Sequence, residues 1–191
     1  MKRTFDIFFA TIGLVLLAPV IAVAMLFTRL VVGRPILARQ FRVGLAGRPF
    51  EMLRLRTKVA RRSLDLSADA VESGTSGWRI EYHRPPVTQR IRRSRLDVLP
   101  QLWNVITGDM SLVGPRPMVW QDAVEARVLD HPRHSVRPGL TGPGQVRGRG
   151  DEPLVEQLEV EAAYAQQVTF RGDLSIMGRT MLVMLKPSLR A

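Results

Sequence analysis

From Ile7 to Phe27 the chain carries no charge and consists mostly of Leu, Ile, Val, Ala and Phe. At 1.5 Å per residue, about 21 helical residues rise roughly 30 Å, the thickness of one bilayer hydrocarbon core. Three readings compete for this run. A signal peptide would use Lys2 and Arg3 as its basic start and Ala22-Val23-Ala24 as its cleavage site, but the apolar stretch is long for that purpose. A plain spanning helix is the usual interpretation. Pro19 lies near the middle, where it removes a helix hydrogen bond and kinks the chain. Both flanks are basic, with Lys2 and Arg3 before and Arg29, Arg34, Arg39 and Arg42 after, so neither end is marked for translocation. A re-entrant helix, broken at Pro19 and entering and leaving by the cytoplasmic face, satisfies both facts and is the expected form.

The remainder of the 191 residues suffices for one domain with a hydrophobic core. The expected division is a membrane helix over residues 1–32 and a cytoplasmic domain over 33–191. There is no cysteine, so disulfides and thiolate metal sites are excluded. Lys plus Arg number 28 against 17 Asp plus Glu, a net charge of +11 that calls for anionic partners. Residues 29–62 hold ten Lys or Arg and one acid, Glu51. Directly after a membrane segment, that density points to anionic phospholipid, at about 1 kcal/mol per basic residue near the surface. Nucleic acid explains the charge but not the apolar start, and aromatics at 6% are scarce for base stacking, so no nucleic-acid partner is expected.

Along the chain, residues 35–50 read as short extended pieces with turns at Gly44 and Gly47-Arg48-Pro49. Residues 50–59 read as a strand or a short helix, and 63–86, rich in Ser, Asp and Gly, as a loop. Helices are expected over 99–106 with Pro100 in the first turn, over 119–129, over 154–167 and over 174–185. Residues 138–150 read as a glycine-rich loop. The class expected is α+β, dominated by helix, with short strands. His83, His131 and His134 are too scattered for a metal cluster.

Chemistry concentrates between Leu96 and Pro117. Asp97 stands just before a proline-marked helix start, and Arg116 sits between Pro115 and Pro117. The prolines limit the backbone there, and a guanidinium grips phosphate at two points, so Arg116 suits an oxyanion, with a structural role in a rigid turn as the alternative. Arg137, Arg147 and Arg149 flank the glycine-rich loop, whose amides could cup an anion or serve turn geometry alone. Trp103 and Trp120 suit either a lipid interface or a core, and Tyr164 either the nucleotide or its own helix.

Taken together these pieces resemble the bacterial sugar transferase family, the monotopic polyprenyl-phosphate phosphoglycosyl transferases. The opening Lys2-Arg3-x-x-Asp6 before a proline-broken helix resembles the family's re-entrant start. Arg39-Gln40-Phe41-Arg42-Val43-Gly44 matches Q-x-R-x-G, Phe50 through Arg56-Thr57 resembles F-x-x-x-K-F-R-T-M, and Gly108 through Pro117 matches G-D-M-S-x-V-G-P-R-P. Arg137 through Gly142, Gln145-Val146 and Gly148-Arg149 match the next block, and Glu161, Tyr164, Asp173 and Thr180 follow at the family's spacing. The resemblance implies an enzyme on the cytoplasmic face of a bacterial inner membrane. It would transfer a sugar-1-phosphate from a UDP-sugar to undecaprenyl phosphate, starting lipid-linked glycan or exopolysaccharide synthesis. It also implies Asp97 as nucleophile through an aspartyl-phosphosugar intermediate, Mg²⁺ as cofactor, and Arg56, Arg116, Arg137, Gln145, Arg149 and Tyr164 as contacts for the phosphates or nucleotide sugar.

Departures cluster near the nucleophile. The family's metal-holding Glu after that Asp is Val98 here, which cannot ligate. Asp109 is the candidate substitute, with bracing of its own turn as the alternative. The family's D-x-R-x-T reads Arg84-Pro85-Pro86-Val87-Thr88, and Ala18-Pro19 replaces Ser-Pro. These losses leave a second reading, a catalytically impaired homologue that binds lipid or nucleotide sugar. The sugar, the pathway and the oligomeric state, homo-oligomer included, are open at this level.

Overall fold

In a computed structural model the described residues are 2–64, 78–146 and 153–185. Helix dominates, accompanied by short strands. Helix α1 runs over Lys2–Val32, followed by β1 (Leu37–Val43) and β2 (Pro49–Leu55), which pair, and by β3 (Val59–Leu64) and β4 (Trp78–His83). Next come α2 (Pro86–Arg93), α3 (Gln101–Thr107), β5 (Ser111–Val113), α4 (Trp120–Glu125), β6 (Gly139–Thr141), α5 (Pro143–Val146), α6 (Leu154–Gln166) and α7 (Phe170–Leu185).

The chain packs as two compact units: Met1–Ala18, Arg39–Arg54 and Val98–Ala191 form one, and Pro19–Ala38 with Leu55–Asp97 form the other. The boundary passes through α1 between Ala18 and Pro19, the proline inside that helix. In the first unit Ala10 of α1 packs with Met52, Leu102, Val105, Met110, Leu112 and Val113. In the second, Ala24 packs with Leu55 and Ile91, joined by Met25, Ile36, Leu37 and Leu96.

Most of α1 has no protein cover. Val15, Leu16 and Leu30 are 68%, 71% and 72% exposed, and only Asp6, Ala10, Ala24 and Thr28 on this helix are buried. Its 31 residues rise about 46 Å, and length and apolar composition suffice to cross a membrane. Helix α7 also turns Phe170, Leu174, Met181 and Leu182 outward, while Ile176 and Met177 pack on the core of the first unit.

The polar residues of the first α1 turns are engaged by the protein itself. Lys2 Nζ donates to Asp173 Oδ2 and to the Val113 carbonyl. Arg3 donates to the carbonyls of Val105 (2.6 Å) and Ile106 (3.0 Å), capping the C-terminus of α3. Asp6 accepts from Ser111 Oγ (2.8 Å) and the Leu112 N–H (3.2 Å) in a buried setting. Lys2 and Arg3 thus anchor the start of α1 to the rest of the first unit. Cleavage after Ala24 would remove all of these bonds.

Several expected elements differ. The stretch 63–86, read as a loop, closes a β3–β4 antiparallel hairpin in register Val59↔His83 to Leu64↔Trp78, and α2 begins at Pro86. Residues 65–77 lie outside the described set. The helix expected over 119–129 stops at Glu125, because Arg127 adopts φ 54° and the Val128 N–H returns to the Ala123 carbonyl. The glycine-rich loop contains β6, parallel to β5, and the short α5. Helix α7 begins at Phe170 rather than Leu174.

Candidate active site

Arg116 stands on a turn whose backbone is fixed from three sides. After β5 the Gly114 N–H donates to the Thr141 carbonyl (2.9 Å), and the Gly139 N–H donates to the Pro115 carbonyl (2.9 Å). A Cβ on Gly114 or Gly142 would strike the facing backbone, so these glycines permit close approach of two segments. On the other side β1 bridges to the strand-like run after Pro117, with Arg42 opposite Val119 and the Val43 N–H donating to the Met118 carbonyl (3.0 Å). Arg42 Nη1 donates to the Pro117 carbonyl (3.1 Å).

The third clamp is a buried ion pair. Arg133 Nη2 lies 2.6 Å from Glu161 Oε2, with side chains 4% and 3% exposed. The same arginine donates to the Arg116 carbonyl (2.5 Å), and Glu161 Oε1 accepts from the Arg116 N–H (2.9 Å). One pair therefore grips both backbone groups of a residue whose own side chain is exposed. Burial pushes the Glu161 carboxyl above its usual range, against the pull of Arg133 and the Arg116 N–H. Sequence reading did not find Arg133. Glu161 carried only a family spacing, and nothing local links it to a residue 45 positions earlier.

Cations gather on this face. Burial lowers the proton affinity of Arg42 first, followed by the fields of Arg116 and Arg54, with Asp122 opposing. Arg133 is likewise lowered by burial and by Arg116, while Glu161 raises it. Such crowding costs energy in the free protein and is relieved by an anion. Beside the ion pair, His134 is buried and held down to about 4, by burial first and then by Arg133 and His131, so it is neutral at pH 7.

The other residues singled out by sequence divide. Arg137 Nε donates to the Gly108 carbonyl (2.8 Å), which orients its guanidinium. Gln145 Oε1 is buried with no hydrogen-bond partner among the described residues. The Tyr164 hydroxyl donates to Asp173 Oδ1 (2.6 Å) and lies 3.1 Å from the Val113 carbonyl. Burial and Asp173 push that phenol well above its usual value, so it stays a donor anchoring α6. Asp109 Oδ2 accepts from Thr107 Oγ1 (2.9 Å) and Asn104 Nδ2 (3.2 Å), which makes it a brace for its turn. Arg147 and Arg149 lie outside the described residues. In the second unit, Arg56 donates to the carbonyls of Arg34 (2.9 Å) and Lys58 (3.2 Å). Asp97 sits in a single 3₁₀ turn, Leu96–Val98, and its side chain is fully buried.

Among the described residues no three His, Asp or Glu side chains converge as a metal cage. Val98 is apolar and Asp109 is engaged by Thr107 and Asn104, so these donors alone do not build a dedicated Mg²⁺ cage. Mg²⁺ keeps waters and needs one or two carboxylates beside substrate phosphates.

A clamped arginine turn among crowded cations, on a chain with an uncovered apolar helix, is an arrangement suited to anionic ligands. The family model for bacterial sugar transferases matches residues 1–187, and the chain belongs to that family. It is 38% identical over 188 residues to the UDP-glucose:undecaprenyl-phosphate glucose-1-phosphate transferase of Caulobacter vibrioides, covering 94% of this chain and 68% of that protein. It is 32% identical over 192 residues to the exopolysaccharide production protein ExoY of Rhizobium meliloti, covering 94% and 83%. The UDP-glucose:undecaprenyl-phosphate glucose-1-phosphate transferase of Escherichia coli is 34% identical over 195 residues, 95% of this chain but only 39% of that protein.

Proposed function

We propose that the protein transfers a sugar-1-phosphate from a UDP-sugar to undecaprenyl phosphate and so starts a lipid-linked glycan or exopolysaccharide. The observation that carries this reading is the clamp on Arg116, an exposed guanidinium whose backbone N–H and carbonyl are both held by the buried Arg133–Glu161 pair. A cation fixed in that way is preorganised for charge on a phosphoryl group. Relatives with the named transferase activity match along almost the whole chain.

In the proposed reaction an Asp97 carboxylate oxygen attacks the β-phosphorus of the donor. The bond from that phosphorus to the bridging oxygen breaks, and UMP leaves. A phosphate oxygen of undecaprenyl phosphate then attacks the same phosphorus, the acyl-phosphate bond breaks, and Asp97 is restored. Splitting the displacement in two lets one polyanion leave before the next attacks. Arg116 and Arg137 hold phosphate oxygens, and Gln145 offers a polar contact. Asp97 and the donor diphosphate would hold Mg²⁺, which would supply charge neutralisation on the phosphates. The α1 helix, re-entrant from the cytoplasmic face of the inner membrane, and the outward stripe of α7 seat the domain on phospholipid. The uncovered apolar side chains of both helices support this seating.

Val98 favours a second reading, a homologue that binds donor or lipid without turnover. Release of UMP from a set of UDP-sugars, with undecaprenyl phosphate and Mg²⁺, separates the two. Turnover lost on Asp97→Asn supports the enzyme; donor binding without UMP release supports the rival.

A further inference from the structure

Next to the Arg116 turn lies an open groove of about 540 Å³, lined by Gln40, Phe41, Arg42, Pro49, Val119, Trp120 and Gln121. We infer that this groove seats the nucleoside of the donor, with the pyrimidine ring against Trp120 and Phe41 and the α-phosphate toward Arg42. The inference rests on the transferase reading above and assigns the part of the donor that does not react.

The size suits a nucleoside monophosphate, since small-molecule sites run from about 300 to 1,000 Å³. Two aromatic side chains of a chain poor in them share this groove, and Phe41 is 61% exposed. A flat base stacks on such rings. Two carboxamides complete the wall. Gln40 Oε1 accepts from Arg42 Nη2 (2.8 Å), which leaves its amide NH₂ as the side that can donate. The Gln121 amide offers a donor and an acceptor side by side, the complement of an imide edge, in which an N–H lies beside a carbonyl. At the charged end, Arg42 is fixed by Gln40 and the Pro117 carbonyl and sits in the fields of Arg54 and Arg116. The floor is preformed, because β1 is bridged to Val119. A prenyl or acyl chain is the competing apolar occupant, but a guanidinium and two amides on the wall do not match hydrocarbon. A ring with hydrogen-bonding edges and an attached anion matches every wall.

The test uses the purified full chain in detergent or lipid discs, with UMP and CMP titrated by tryptophan fluorescence and calorimetry alongside steady-state kinetics. Trp120→Ala should weaken UMP binding and raise the donor KM about ten- to hundredfold, leaving kcat and the undecaprenyl phosphate KM within a few-fold. Trp120→Phe should recover most of the loss, and Gln121→Ala should narrow the preference for UMP over CMP. If the wild type binds UMP and Trp120→Ala abolishes it while no UDP-sugar is turned over, the groove assignment stands and the transferase reading fails. Normal turnover with an unchanged donor KM in Trp120→Ala overturns the groove assignment and leaves the transferase reading intact. Absence of any UMP binding by the wild type also overturns it.

Discussion

Replacing Glu161 should separate what the Arg133–Glu161 pair does for stability from what it does for Arg116. Both side chains are almost wholly buried and lie 2.6 Å apart. Glu161→Ala leaves the Arg133 charge buried without its counterion and removes the acceptor for the Arg116 N–H. Breaking a buried pair from one side costs about 3–5 kcal/mol. For a chain of this size each kcal/mol lowers the unfolding midpoint by roughly 2–4 °C, so the expected drop is roughly 6–20 °C. Removing both charges with Arg133→Met/Glu161→Leu deletes the desolvation penalty along with the attraction and should return most of that stability. It does not return the bonds to the Arg116 N–H and carbonyl, so the Arg116 backbone loses two of its anchors. The account therefore expects a double variant that melts near the wild type yet has a donor kcat/KM lowered about tenfold or more. The assay is thermal unfolding in detergent by circular dichroism beside UMP release at varied donor concentration. A double variant with recovered melting and undiminished kcat/KM would refute the clamp as a positioning device.

Further outcomes follow from individual bonds. His134 is held down to about 4 in the folded chain against an ordinary value of 6.5, so the unfolded chain binds the proton more readily. Stability from this group is complete above pH 6.5 and is lost as pH falls from 6.5 to about 4, by up to about 3 kcal/mol; His134→Gln should flatten that part of a melting-versus-pH profile. Tyr164→Phe should lower the melting midpoint by a few degrees and leave the donor KM unchanged, since its hydroxyl is engaged by Asp173. Asp109→Asn should leave the Mg²⁺ dependence of UMP release unaltered, because its carboxylate braces Thr107 and Asn104; a shifted Mg²⁺ titration would return it to the metal. Asp6→Ala should cost about 2–3 kcal/mol by stranding Ser111 and the Leu112 N–H in a buried site, read from the same melts.

What the sequence disclosed was mostly local. The uncharged run announced α1, Pro100 marked the entry to α3, and periodicity placed α6 within one residue at its C-terminus. Long-range pairings escaped it. Lys2 and Arg3 read only as a basic flank, and Asp6 only as part of an opening motif, because their partners lie more than 100 residues away. Arg133 had no motif, and its role depends on Arg116 and Glu161 arriving from other segments. The β3–β4 pair reads as loop in the sequence because the Ser, Asp and Gly of residues 63–86 outweigh the short strands. The helix after Val119 was overextended because an apolar period continues through Val128 and Leu129, while Arg127 takes a left-handed backbone that no pattern in side-chain polarity records. Asp97 and Arg116 stand out as candidates for a different reason: their residue types and order resemble a family's motifs, and motif order survives even where local structure is ambiguous.

Intact-mass spectrometry of the lipid-embedded protein, after incubation with UDP-sugars and Mg²⁺ but no acceptor, tests the central claim most directly. The account predicts a gain equal to one phosphosugar, located on the peptide that contains Asp97, absent in Asp97→Asn and discharged by undecaprenyl phosphate. A protein that releases UMP yet never gains that mass, or gains it on another residue, would contradict it.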